Sequence, residues 1–104
     1  MLHPVIVQHL DALRALCEQE QISQCVIFGS ATRTDFRAGI SDVDIIVTFE
    51  PDQVVTAFRL SRLAQTISQI VGHSVDLHTW SEIHPKIQSI IKRNGVTIFE
   101  RRAG

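Results

Sequence analysis

Hydrophobic positions along this chain follow two alternating periods. Ile6, Leu10, Leu13 and Cys17 fall at helical spacing behind Pro4, flanked by Val5 and Leu16, until the polar stretch 18–21. That spacing predicts a helix over 4–20, with Pro4 in the first turn, where a missing N–H costs nothing. Cys25-Val26-Ile27-Phe28 is a continuous apolar run closed by Gly29, the pattern of a buried strand. A short helix over 31–36 follows, with Ser30 as its N-cap, and then a loop over 37–41 broken at Gly39. Residues 43–49 are rich in β-branched side chains and read as a second strand.

After the stop at Glu50-Pro51-Asp52, Val54, Phe58, Leu60, Leu63, Ala64, Ile67, Ile70 and Val71 make a broad apolar helical face over 53–71. Arg59 and Arg62 lie outside it, and Gly72 is placed to end the helix. Residues 73–79 alternate, with Val75, Leu77 and Thr79 on one side and Ser74, Asp76 and His78 on the other, as in a strand with one apolar face. A last helix starts within 81–85, carries Ile87, Ile90 and Ile91, and ends at Asn94-Gly95. Residues 96–99 form a fourth strand at an edge or partner surface, and Arg101-Arg102 a frayed tail. The order is αβαβαβαβ, an α/β (α+β) arrangement in a single domain over 1–104.

Composition narrows the classes. The 104 residues are 44% hydrophobic and 20% charged, enough for a core without disulfides. A net charge of −1 gives no field that draws nucleic acid or membrane, so neither is expected as a direct ligand. The two cysteines, Cys17 and Cys25, lack metal spacing and read as core thiols of a reducing compartment. No leader pattern and no long apolar run is present, so a cytoplasmic protein is the expectation.

The chemistry concentrates in Val26 to Val47. Gly29 permits close backbone approach of a phosphate, and Ser30 adds a hydroxyl beside helical N–H groups. Alone, such a turn is an ordinary helix start. Asp42 and Asp44, at i and i+2, point to one face of a strand start, where like charges destabilise a sheet unless a cation joins them. Asp76 supplies a third carboxylate on the polar side of its strand; by itself it reads as a solvent-facing aspartate. Mg²⁺ favours a few carboxylates plus substrate phosphates, and two ions about 4 Å apart serve in-line displacement at phosphorus. Arg33 fits a phosphate contact or an ion pair with the acidic cluster, and equally a plain surface role. Ser41 orients the Asp42 loop and is counted with Gly29, Ser30 and Arg33 among the candidate phosphate-binding residues. His78 shares a face with Asp76 but reads as a solvated histidine, and Trp80 as a packing anchor. For Gly29-Ser30 and Asp42-Asp44 to share a site, the first two strands must run antiparallel, so the sheet is mixed. The short link between them also excludes a parallel crossover.

Gly29-Ser30-x-x-Arg33, Ser41-Asp42-x-Asp44 before an apolar strand, and Asp76 in Val75-Asp76-Leu77 together resemble the minimal nucleotidyltransferase (MNT) family of the DNA polymerase β-like superfamily. The stretch Ile90 to Val96 also looks like the family's close. The resemblance implies a small mixed sheet flanked by helices. It implies that Gly29 and Ser30 hold the nucleoside triphosphate, that Asp42, Asp44 and Asp76 bind two Mg²⁺, and that Asp76 helps deprotonate the attacking hydroxyl. It further implies an antitoxin that works with a HEPN-domain partner, in some relatives by moving AMP from ATP to a tyrosine of the toxin. The chain is nearly used up by the catalytic core, so the acceptor surface is expected on another chain, with self-association also open. A binding antitoxin that neutralises by contact alone, and transfer to a small molecule, are the alternatives.

Overall fold

The computed structural model describes residues 2–33, 36, 37 and 39–101. A four-stranded sheet is built from β1 (Ile22–Phe28), β2 (Val43–Phe49), β3 (Val75–His78) and β4 (Val96–Glu100), in the order β3-β2-β1-β4. β1 runs antiparallel to both β2 and β4, and β2 pairs with β3 in parallel. The mixed sheet and the antiparallel first pair required by the candidate site are therefore present, and β4 is an edge strand. Among the described residues four α-helices accompany the sheet: α1 (Pro4–Val7), α2 (Leu10–Gln19), α3 (Ala57–Val71) and α4 (Pro85–Asn94). None of them is long and apolar enough to cross a membrane.

Strand alternation divides the core between the two faces of the sheet. Cys25, Ile27, Val43, Ile45 and Val47 pack with Val5, Ile6, Leu13, Cys17, Leu63, Ile67 and Val71 into one large cluster closed by α1, α2 and α3. Both cysteines are free and buried there. On the opposite face Val26 and Ile46 meet Ile91 of α4, with Phe28, Trp80 and Ile83 around them. Asp44, Asp76 and His78 alternate onto this second face, which is only partly covered. Trp80 anchors it as expected, its indole N–H donating to Gln24 Oε1 at 3.3 Å.

Several element boundaries differ from the sequence reading. The first helix divides at Gln8-His9, where the consecutive β-branched Val5-Ile6-Val7 disfavour continuation. His3 caps α1 by accepting from the Val5 N–H at 3.1 Å, and the His3 N–H donates to the Ala31 carbonyl at 2.8 Å, tying the N-terminal segment to the loop after β1. After Phe28 comes one 3-10 turn, Gly29–Thr32, whose N-cap position is Phe28, so Ser30 lies inside the turn and not at its cap. Gly29 lies at φ +72, outside helical space, and the Thr32 hydroxyl closes back on its carbonyl at 2.7 Å. Of the helix expected over 31–36, Thr34 and Asp35 lie outside the described residues.

α3 begins four residues later than its apolar pattern suggested. Thr56 caps it, accepting from the Arg59 N–H at 3.0 Å. The Arg59 guanidinium donates to the carbonyls of Val54 and Glu20, at 3.0 and 2.8 Å, and ties the non-helical segment 53–56 to the end of α2. Val54 and Phe58 are consequently exposed instead of joining the apolar face. Gly72, at φ +75, ends α3 as expected. The last helix is preceded by a separate 3-10 turn, Trp80–Glu82. Arg101 is not frayed: it pairs with Glu18 at 2.7 Å and Glu50 at 3.4 Å, while Arg102 lies outside the described residues.

Candidate active site

Three adjacent strands bring the sequence-predicted residues into one row. Phe28 stands opposite Asp44 in the antiparallel register, and Asp44 stands opposite Asp76 in the parallel one. Gly29 follows directly from β1, so the turn lies against the Asp44 carboxylate. A Cβ added at Gly29 would collide with Asp44 Oδ2 and stand 3.2 Å from its Cγ. Only glycine leaves room there for the carboxylate and for a ligand on the backbone. The Arg33 N–H donates to the Ser30 carbonyl at 3.0 Å and closes the turn.

Ser41 bonds back to Arg37 in the segment before β2. Its hydroxyl accepts from the Arg37 N–H at 3.0 Å, and its own N–H donates to the Arg37 carbonyl at 2.8 Å. Asp42 follows, exposed, one residue before β2.

Electrostatically the centre is Asp44. Partial burial raises its pKa, and the negative charges of Asp76 and Asp42 raise it further; His78 and Arg33 offset part of this. A carboxylate held against desolvation and two like charges is a site that a cation satisfies. One ligand atom each from Asp44, Asp76 and His78 lie within 4.8 Å of one another, a donor group compatible with a bound metal. Asp42 is outside that group and contributes through its charge.

His78 is the participant that the sequence reading undervalued. Its side chain is only 24% exposed, with Nε2 3.0 Å from Asp76 Oδ2 and Nδ1 3.4 Å from Glu82 Oε2. Burial works against its charged form, but the hydrogen bonds and charges of Asp76 and Glu82 prevail and raise its pKa. Glu82 is fixed in turn, accepting from the Thr79 N–H at 3.2 Å. Two signals were available in the sequence: strand alternation placed His78 beside Asp76, and Glu82 stands four residues on.

A sheet that sets a Gly-Ser turn against paired carboxylates is the frame of a nucleotidyl-transfer enzyme. The chain belongs to the nucleotidyltransferase domain family, whose model matches residues 11–98. It is 30% identical over 78 residues to a "putative protein adenylyltransferase" of Methanocaldococcus jannaschii, covering 75% of this chain and 81% of that protein. Among solved structures it is similar to a "putative minimal nucleotidyltransferase", with a TM-score of 0.75 and 24% identity, covering 92% of this chain and 95% of that one. It is also similar to a chain of the Shewanella oneidensis complex of a tri-AMPylated HEPN toxin with its MNT antitoxin (TM-score 0.68, 15% identity, 91% and 72% covered). A chain of a toxin–antitoxin complex with AMP-PNP matches at a TM-score of 0.73 and 17% identity, with 89% and 74% covered. At these identities the structural likenesses establish the polymerase β-like fold.

Proposed function

We propose that this nucleotidyltransferase moves AMP from ATP to a hydroxyl on a HEPN-domain partner and thereby acts as an antitoxin. The observation that carries the reading is the row Phe28, Asp44, Asp76 across three strands, which sets the Gly29-Ser30 turn directly after β1 beside paired carboxylates. The adenylyltransferase name of the archaeal relative and the AMPylated toxin of the Shewanella complex support the choice of nucleotide and acceptor.

In this mechanism Gly29 and Ser30 bind the triphosphate through backbone N–H groups and the serine hydroxyl, and Arg33 adds positive charge at the same end. Asp42, Asp44 and Asp76 would hold two Mg²⁺; Asp44 and Asp76 already stand in one donor group, and Asp42 would turn toward the ions from its exposed place before β2. When bound, these ions polarise the phosphoryl oxygens and lower the pKa of the attacking hydroxyl. Asp76, steadied by His78, receives the hydroxyl proton. The acceptor oxygen forms a bond to the α-phosphorus while the bond to the β-bridging oxygen breaks, and pyrophosphate leaves on the Gly29 side. The residues contribute positioning and charge stabilisation, which carry most of the catalysis of transfer at phosphorus.

The test combines the purified chain with labelled ATP, Mg²⁺ and a HEPN protein encoded beside it. Label should appear on the partner and vanish with Asp44→Ala. Full neutralisation by Asp44→Ala, with no label transferred by the wild type, would establish the contact-only alternative instead.

A further inference from the structure

Between the Gly29 turn and α4 lies a cleft of about 200 Å³, on the sheet face that carries Asp44 and Asp76. Phe28, Ile87, Ile90 and Ile91 give it apolar walls, Asn94 an amide at the rim, and Arg33 a cation. Gly95 builds the junction. A Cβ there would stand 2.7 Å from the Ile91 carbonyl oxygen and 2.9 Å from Val26 Cγ1, so the end of α4 can press onto β1 only with glycine. Ile87 and Ile90 remain 47% and 45% exposed, one helical turn apart, although Ile91 beside them is buried. The core closes through Ile91 with Phe28 packed against it and does not need Ile87 or Ile90, which line the cleft together with Phe28.

We infer that this cleft receives the heterocyclic base of the nucleoside triphosphate, a proposal that rests on the phosphate-binding role of Gly29-Ser30. Size is the first argument. Sites that enclose a drug-sized ligand occupy roughly 300–1,000 Å³, so this cleft takes one ring system and not a whole nucleotide. Shape and chemistry are the second. A flat base gains from stacking on an aromatic face and from apolar walls, and its polar edge can pair with an asparagine amide. Continuity is the third, since Gly29 and Arg33 belong both to the cleft and to the phosphate turn. The acceptor has a separate approach. In-line attack requires it opposite the leaving pyrophosphate, on the Asp76 side of Asp44, whereas the cleft adjoins Gly29 and the start of β4.

The test titrates the Mg²⁺-supplemented protein by calorimetry with ATP and, separately, with inorganic tripolyphosphate, which has no base. The wild type should bind ATP more tightly than tripolyphosphate. The double variant Ile87→Ser, Ile90→Ser removes apolar contact from half-exposed positions. It should weaken ATP about tenfold and leave tripolyphosphate unchanged, so that the two ligands bind alike. Asn94→Ala, on the exposed rim, should reduce ATP affinity in the same selective way. Unchanged ATP affinity in both variants, with tripolyphosphate still bound, overturns the base cleft and leaves the phosphate site standing. If those variants instead lose capture of a HEPN partner, the cleft belongs to the protein acceptor and the proposal fails. A wild-type chain that binds neither ligand overturns the Gly29-Ser30 reading, and the cleft falls with it.

Discussion

Gly29→Ala isolates the contact on which the site depends. Two costs add at this position. At φ +72 an alanine pays about 1–2 kcal/mol for left-handed backbone. Its Cβ also meets the end of the Asp44 side chain, with Oδ2 overlapped and Cγ at 3.2 Å. The carboxylate can swing aside only by leaving its rotamer, at about 0.5–1.5 kcal/mol. The expected loss is about 2–3 kcal/mol, a fall in Tm on the order of 10 °C for a domain of this size. Gly72→Ala is the control inside the same molecule. Its φ is +75 but nothing lies within 4 Å of the added Cβ, so it should show the backbone cost alone.

The cycle is completed in an Asp44→Ala background, where Oδ2 and Cγ are absent. There Gly29→Ala should cost no more than Gly72→Ala, leaving a coupling energy of about 1 kcal/mol between positions 29 and 44. Urea unfolding in EDTA measures all of these without a metal contribution. Gly29→Ala should also abolish transfer, because the displaced carboxylate no longer faces the turn. Equal losses for Gly29→Ala and Gly72→Ala, with no coupling to Asp44, would refute the contact.

Other outcomes follow from the charges and caps. Mg²⁺ should stabilise the wild type by about 2.7 kcal/mol at a hundred times its Kd, read as a rise in Tm, and Asp44→Asn should remove that rise. In EDTA, Asp44→Asn should be more stable than the wild type at neutral pH, because it removes a half-buried carboxylate repelled by Asp76 and Asp42. The raised pKa of Asp44 means that the folded state holds the proton more tightly than the unfolded one. Its contribution is therefore full below the ordinary aspartate range and declines as pH rises through the raised value, and Asp44→Asn should lack that decline in pH-dependent urea unfolding. His78, also raised, contributes stability that is full below the ordinary histidine pKa and lost as pH rises through its folded value; His78→Gln should flatten this second step. Thr56→Ala should cost about 1 kcal/mol through the lost α3 cap and leave the transfer rate unchanged.

What the sequence made legible was the part governed by period and by chemistry. β2 was readable to the residue because its β-branched run is bounded by polar loops on both sides. The antiparallel relation of β1 and β2 followed from requiring Gly29 and Asp44 to share a site, and the observed register puts Phe28 opposite Asp44. The rest depended on long-range partners that no local pattern records. Arg59 ties the non-helical segment before α3 in place by bonding a carbonyl 39 residues earlier in the chain, which a helical stripe cannot reveal. Arg101 is fixed by Glu18 and Glu50, both remote in sequence. His78 looked solvated because its partners, Asp76 and Glu82, come together only when β3 is followed by the tight turn at Trp80.

The division of the sheet into two unequal faces explains why the site can exist at all. α1, α2 and α3 close one face into the larger core, so the domain does not need the other for most of its apolar burial. The second face needs only Ile91 and its neighbours to bury Val26 and Ile46. The remaining part of that face is free to carry Asp44 and Asp76 side by side, an arrangement that costs stability until a cation arrives. The edge at β4 is managed separately, for Arg14 Nε donates to the Ile98 carbonyl at 2.8 Å and occupies an acceptor that another strand would use. Charge repulsion is thus confined to the open half of one face, where neutralising Asp44 should strengthen the fold and end the chemistry. That opposition of stability and activity is expected where a site was selected for its ligand and not for its packing.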